Sequence, residues 1–409
     1  MANSLLTIDM ITREAQRVAH EKLTFLGTID RSYDDSYAKT GAKIGSSLRV
    51  RYPNQYERRR GSRVMDVQEQ SEKADTVTVA TQDGVDMKFN SAELALSIDQ
   101  FSERYIEPAA SVLVSGIEGD VLTDLTKSVP NLTGTAGTVV GTSGDISAIT
   151  NARAKLNQYL APKSNRSVQF DSVTMGSIVN GAKSLFHDGG QVKEAFREGY
   201  YTRNAMADWY ENERTYVHTN ISDVTGTTDG TGLGTAESDG GYTLVDMHTT
   251  VVSPTVGTVF TIAGVYACHP ETKTAYSHEQ QFTITATSAS GAVSVLPKIY
   301  LSGPRKNVCS SSSATLAASD FNSKTLTFHG AGSSVLRHNL MYHKEFATFV
   351  TADLPLMDDA HKCVRRVQDG LSMRVWQGSD IRNDELLMRI DILYGWKILR
   401  PEWACRISN

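Results

Sequence analysis

Four cysteines in 409 residues, Cys268, Cys309, Cys363 and Cys405, stand far apart without CxxC spacing. The chain therefore encodes neither a local zinc site nor a disulfide framework, and the four read as reduced thiols. Basic residues are not in excess: 41 Lys and Arg stand against 46 Asp and Glu, a formal net charge of −5. Such a chain has no general attraction for phosphate, so any contact with nucleic acid is expected to be local and nonspecific. No apolar run approaches the roughly 20 residues that cross a bilayer, and no membrane partner is expected. The opening Met-Ala-Asn-Ser-Leu-Leu-Thr-Ile-Asp lacks the regions of a signal peptide. A cytosolic setting is expected, in which the sequons at Asn131, Asn165 and Asn220 are chance matches.

Catalytic motifs are missing as well. The sequence has no GxSxG elbow, no GxxxxGK[ST] phosphate loop and no HExxH zinc helix. Gly230, Gly232 and Gly234 alternate too closely for a dinucleotide fingerprint and read as a flexible loop. Asp358, Asp359 and His361 form the densest group of possible metal ligands but lack a further partner at an identifiable spacing. His338 and His343, five apart, fall on different faces of a helix and read as packing or surface residues. The expectation is a protein without cofactor, metal or catalytic residue, and not an enzyme.

With 40% hydrophobic and 21% charged residues the chain is of ordinary globular type. Its length fits about two or three domains of roughly 150 residues. Leu5, Ile8, Ile11, Ala15, Val18 and Leu23 recur at helical spacing, so residues 5–26 predict an amphipathic helix whose apolar face needs a partner. A polar segment follows, with four tyrosines and the run Arg58, Arg59 and Arg60 just before Gly61. Asp66, Glu69 and Glu72 come next, so a hairpin turning near Gly61 sets opposite charges against each other, either on its own surface or across to a neighbouring subunit.

Val77 and Val79, then Val85, Met87 and Phe89, alternate as half-buried strands do. At Asn90 the period changes to helical, and Leu94, Ile98, Phe101, Tyr105, Leu113, Ile117 and Leu125 carry the signal to Lys127. Pro108 lies in the middle of that stretch, where its ring and missing amide hydrogen would bend or divide the helix. A Thr- and Gly-rich loop follows, and then a helix begun by Asp145 and stopped by Pro162. The aromatics Phe196, Tyr200, Tyr201, Trp209 and Tyr210 fit a core better than an interface. From Val217 to Phe328 the composition turns to Thr, Ser, Gly and Val with short strands such as residues 257–264 and 281–286, a small all-β module inserted into its parent domain. Leu336 to Val350 carries a short helical pattern. Leu371, Met373 and Val375, then Leu386 to Tyr394, run with period two and predict antiparallel pairing.

Four stretches resemble one family, the major coat proteins of short-tailed bacteriophages with the tailed-phage capsid fold. Leu-Thr-Ile-Asp-Met-Ile-Thr-Arg-Glu-Ala, residues 6–15, is similar to that family's opening helix, and Gly41-Ala-Lys-Ile-Gly45 to the start of its extended loop. Residues 84–109, from Gly84-Val-Asp-Met-Lys-Phe to Tyr-Ile-Glu-Pro-Ala109, resemble its strand and long spine helix. Leu393-Tyr-Gly-Trp396 with Arg400-Pro-Glu402 resembles its C-terminal strand.

The resemblance implies an α+β fold of tailed-phage capsid type: an N-terminal arm at 1–35, an extended loop at 36–76 and peripheral strands with the spine helix at 77–130. The axial domain would begin at 131–216, receive the inserted β-rich domain at 217–328, and resume with the last peripheral strands at 329–409. It further implies self-assembly as hexamers and pentamers into an icosahedral shell in the bacterial host cytoplasm, a separate scaffolding protein, a portal protein, a decoration protein in some relatives, and packaged double-stranded DNA on the inner face. A noncovalent shell is expected, with Pro108 as the hinge of the spine helix during expansion. An encapsulin-like compartment shell is the alternative on the same fold.

Overall fold

The computed structural model describes residues 8–31, 47–58, 61, 74–90, 105–181, 203–220, 225–248, 255–287, 291–357, 362–368, 371–380 and 385–409. Two compact units interleave along the chain. One takes residues 1–50, 74–121 and 347–399, the other 51–73, 122–346 and 400–409.

In the first unit, helix α1 (Ile8–Lys22) buries Ile11, Ala15 and Ala19, spaced four apart on one face. The partner that this face requires is the chain's own sheet. Gln16, buried on the same side, donates from Nε2 to the carbonyls of Arg366 at 2.8 Å and Leu371 at 3.5 Å. Those carbonyls lie where β18 (Lys362–Gln368) and β19 (Leu371–Asp380) adjoin. The sheet runs β17 (Ala347–Ala352), β20 (Glu385–Ile398), β19, β18, and β3 (Thr81–Asn90) lies along β20. Every pairing is antiparallel, and the expected pairing of Leu371–Val375 with the Leu386–Tyr394 run is present, with Val375 opposite Ile390. Period two sends Met373, Val375, Met388, Ile390 and Ile392 to buried positions. A separate two-stranded sheet joins β1 (Ser47–Arg51) to β2 (Ala74–Thr78).

Helix α2 (Glu107–Lys127) buries Ala110, Leu113, Val114, Ile117, Val121 and Leu125, the stripe read from the sequence. Pro108 is in the first turn of the described α-helix, directly after a π turn at Tyr105 and Ile106. First-turn amides have no carbonyl partner within the helix, so a residue lacking N–H is tolerated there. Residues 91–104, which carried the earlier half of the predicted helix, lie outside the described residues.

In the second unit a sheet of order β4 (Leu132–Thr133), β21 (Ala404–Ser408), β16 (Val335–His343), β5 (Arg166–Phe170), β7 (Ala207–Glu211), β6 (Arg203–Asn204) also holds β8 (Tyr216–Thr219) against β16. Helices α3 (Ser147–Gln158) and α4 (Ser172–Gly181) share its core: Ile149, Ala152 and Leu156 pack with Val168, Phe170, Trp209 and Ile407. Asp145 begins α3 by accepting the Ser147 amide at 2.7 Å. Leu336–Val350 is β16, a 3-10 turn and the start of β17, not a helix. From His338 to His343 every residue of β16 is buried, so that stretch lacks the alternation that marks a half-exposed strand, and a short apolar run does not separate helix from strand.

The inserted module is a closed barrel. Its strands are β9 (Thr225–Leu233), β10 (Tyr242–Met247), β11 (Val259–Cys268), β12 (Ala275–Thr287), β13 (Ala292–Ile299), β14 (Val308–Cys309) and β15 (Thr325–Phe328). The order β12-β13-β10-β9-β15-β11 returns to its start because β11 also pairs with β12, and β14 adds to β11. Closure removes the open edges that a small sheet would present. Phe260, Ile262, Phe282, Ile284, Val293, Val295, Phe321 and Phe328 fill the interior. Gly232 allows one tight approach: with φ at +59°, a Cβ there would lie 2.4 Å from the Phe321 carbonyl oxygen. The module begins later than its composition implied, since Val217–Thr219 belong to β8 of the parent sheet.

Candidate assembly elements

Arg58 is exposed at the end of the described part of the extended loop, beyond Tyr56, which is 60% exposed. Arg59, Arg60, Asp66, Glu69 and Glu72 lie outside the described residues, as do Asp358, Asp359 and His361. The charged hairpin therefore stays a sequence expectation.

Two of the buried charges, Asp391 and Arg406, organise much of what is described. In the peripheral sheet, strand register places Arg374 opposite Asp391 and Asp391 opposite Gly84. Asp391 is fully buried and accepts from Arg374 Nη2 at 2.6 Å and from Arg389 Nε at 2.7 Å. Arg374 Nη1 also donates to the Pro355 carbonyl at 2.8 Å, and Arg389 reaches Asp86 at 3.3 Å. The hydrogen bond to Asp391, with its negative charge, raises the pKa of Arg389. Gly84 is required beneath this group because a Cβ there would sit 2.5 Å from Asp391 Oδ1. In the same unit Glu118 of α2, fully buried, accepts from the Thr24 hydroxyl at 2.6 Å and from the amides of Thr24 and Phe25 at 3.1 Å. It thereby fixes the turn that follows α1.

The second buried charge is Arg406 of β21, in the seam between the barrel and its parent domain. Nη1 donates to Gly257 O at 2.6 Å, and Nη2 donates to Lys127 O and Thr283 Oγ1, both at 2.7 Å. One side chain thus joins the end of α2, the turn before β11, strand β12 and the C-terminal strand. Lys127 O is among the last carbonyls of a helix, which have no partner within it and carry the negative end of the helix dipole, so a cation suits the position. Burial still lowers the Arg406 pKa, to about 9. Around it stand Tyr216, His218 and His338, their rings 5.8 to 5.9 Å apart by centroid, with Lys127 Nζ 5.5 Å over Tyr216. The rest of the seam is polar. Gln281 pairs through both ends of its amide with Leu132 N and O, at 3.0 and 2.9 Å, Tyr276 donates to Gln158 O at 2.8 Å, and Tyr159 donates to Gln280 Oε1 at 2.9 Å.

Neither charged group was found from sequence. Period two could have paired Arg374 with Asp391, since both fall in the strands it predicts. Nothing local marks Arg406, whose three acceptors come from residues 127, 257 and 283. His338 and His343, expected as surface or packing residues on a helix, are both buried on strand β16, His338 beside that arginine. Among the described residues no group of three or more His, Cys, Asp and Glu could hold a metal ion, and no helix is long and apolar enough to cross a membrane.

Residues 43–406 match the model of the family described as P22 coat protein, gene protein 5. The chain belongs to the P22 coat protein family, and it is a structural protein, a phage major capsid protein with the tailed-phage capsid fold. Among solved structures, one titled Mycobacterium phage Che8 superposes with a TM-score of 0.51 at 10% identity, covering 94% of this chain and 90% of that one. One titled as the mature capsid of bacteriophage PhiM1 gives 0.43 at 11% identity, covering 90% and 82%. No curated protein matches.

Proposed function

We propose that copies of this chain ring together as hexamers and pentamers, and that these tile an icosahedral head enclosing double-stranded DNA. The reading is carried by the coat-protein family match over residues 43–406. Subunits assemble in the bacterial host cytoplasm with a separate scaffolding protein and a portal protein, and a decoration protein can join the finished shell. DNA meets the inner face without sequence preference, in keeping with a net charge of −5. Each loop carrying Arg58, Arg59 and Arg60 pairs with acidic residues of a neighbour, Asp66, Glu69 and Glu72 among them. The shell expands on packaging, with the Pro108 region as the place where the spine helix changes course. Individual contacts are weak, and closure over many of them gives the particle its stability.

Coexpression of the full chain with its neighbouring genes, followed by negative-stain microscopy, tests this directly. Uniform closed shells are expected. A folded chain that stays monomeric at high concentration with its scaffolding partner present would refute the reading. Reversing Arg58, Arg59 and Arg60 together to Glu should abolish shells while leaving the far-ultraviolet circular dichroism of the subunit unchanged.

A further inference from the structure

Four histidines line the seam between the barrel and its parent domain. His218 of β8 and His338 of β16 belong to the parent, while His278 of β12 and His329, just after β15, belong to the barrel. His218 is held between the Tyr216 hydroxyl at 2.8 Å from Nδ1 and Thr258 Oγ1 at 3.2 Å from Nε2, so it spans the seam. His278 stacks on Tyr276, the residue that bonds to Gln158 of the parent. The buried atoms His338 Nδ1, His329 Nε2, His278 Nε2 and Arg406 Nε have no hydrogen-bond partner. The charged groups facing these rings are mostly cations. Arg406 acts on His218, His329 and His338, Lys127 on His218, and Lys155 of α3 on His278. The other titratable groups of the seam are Tyr159, Tyr216 and Tyr276, His269 beside Tyr276, the buried thiols Cys268 and Cys405, and the carboxylate of Glu402 near Tyr159.

We propose that this seam is an acid-released latch: it stays closed while its histidines are neutral, and proton uptake by them frees the barrel from the parent domain without unfolding the barrel. New positive charge would arise beside Arg406, Lys127 and Lys155, where hydrogen bonds to carbonyls and hydroxyls cannot absorb it. The barrel closes on itself and has its own core, so it does not need the seam to keep its strands paired.

Burial, then the neighbouring cations, lowers His218, His278 and His329 from 6.5 to about 4, and burial with Arg406 pushes His338 well below its ordinary value. For a base depressed in the closed state, closure is fully favoured above 6.5 and is lost as pH falls from 6.5 towards 4. At about pH 5 each such histidine favours the open state by about 30-fold relative to neutral pH, and three acting independently by about 10⁴-fold.

Hydrogen–deuterium exchange on the full chain, at about pH 7 and about pH 5 with intrinsic rates corrected, reads this out. Peptides over residues 127–133 and 255–258 should lose protection by at least about 30-fold at the lower pH, while the pairing of β21 with β16 and the β11 and β12 core stay protected. Unchanged seam protection would overturn the latch, and so would loss of seam and barrel protection together. Replacing His218, His278, His329 and His338 with Gln should flatten the response, and an unaltered response would assign it elsewhere. Should that variant not fold, ring titration by NMR in the unmodified chain decides instead. Seam histidines that stay neutral to below about pH 5 support the latch, and all ten histidines titrating near 6.5 would refute it.

Discussion

Asp391 and Arg406 are both fully buried charges, compensated in opposite ways. Asp391 lies between two guanidinium groups on adjacent strands, so its partner is another charge supplied by sheet register. Arg406 donates only to uncharged oxygens, two of them main-chain carbonyls. An ion pair inside one sheet fixes which strands lie side by side. A cation on two carbonyls and a hydroxyl gathered from three separate segments fixes how a whole inserted domain sits on the domain that carries it.

The largest effect should follow from breaking the second arrangement. Arg406→Met leaves Lys127 O, Gly257 O and Thr283 Oγ1 without their shared donor, and a destabilisation of about 3–5 kcal/mol is expected from urea unfolding of the full chain. Exchange protection should be lost first at the seam. A cost below about 1 kcal/mol would mean that the other polar contacts of the seam hold the barrel without it.

Next comes Gly84→Ala, which pushes a methyl against Asp391 Oδ1 and, 2.8 Å away, the Ile390 carbonyl. One of the two partners is backbone and the other is held by two arginines, so neither yields easily. A loss of about 1–3 kcal/mol is expected, with the β3–β20 amides losing protection. Arg389→Gln is milder. Its side chain is 46% exposed and Arg374 remains on Asp391, so urea unfolding should register about 1 kcal/mol or less. If Arg389→Gln proved as costly as Arg406→Met, the contrast between the two charges would fail.

The same contrast explains what could be read from the sequence. The peripheral strands were legible because one face is wetter than the other: half-buried Val85 and Met87 on β3, and buried Met388 and Ile390 on β20, alternate with charged or polar residues. The stripe on α2 was legible for the same reason at period 3.6. β16 was not, because it lies between β21 and β5 and buries nearly every residue, which erases the period. The barrel showed in composition, and its start was misplaced because Val217 and His218 are β-type residues whichever sheet takes them. The seam was invisible, since Arg406 and His329 acquire their roles from residues more than a hundred positions away or from the other domain. Sequence period reports one element against solvent, and a seam is a relation between elements.

The smallest expected effect belongs to Pro108. A proline in mid-helix costs about 3 kcal/mol, so replacing one there should stabilise the fold markedly. In the first turn of α2 as described, Pro108→Ala should shift unfolding by about 0.5 kcal/mol or less. This separates two roles that the sequence alone merged. If the substitution leaves subunit stability unchanged but alters the size or expansion of assembled shells, Pro108 acts on the course of the spine helix between shell states. If it stabilises the isolated subunit by several kcal/mol, the residue sits inside a continuous helix after all, and its placement at a helix start is wrong. If neither stability nor shell expansion moves, the hinge has to be sought elsewhere, and the π turn at Tyr105 and Ile106 is then the next departure from regular helix at that end of α2.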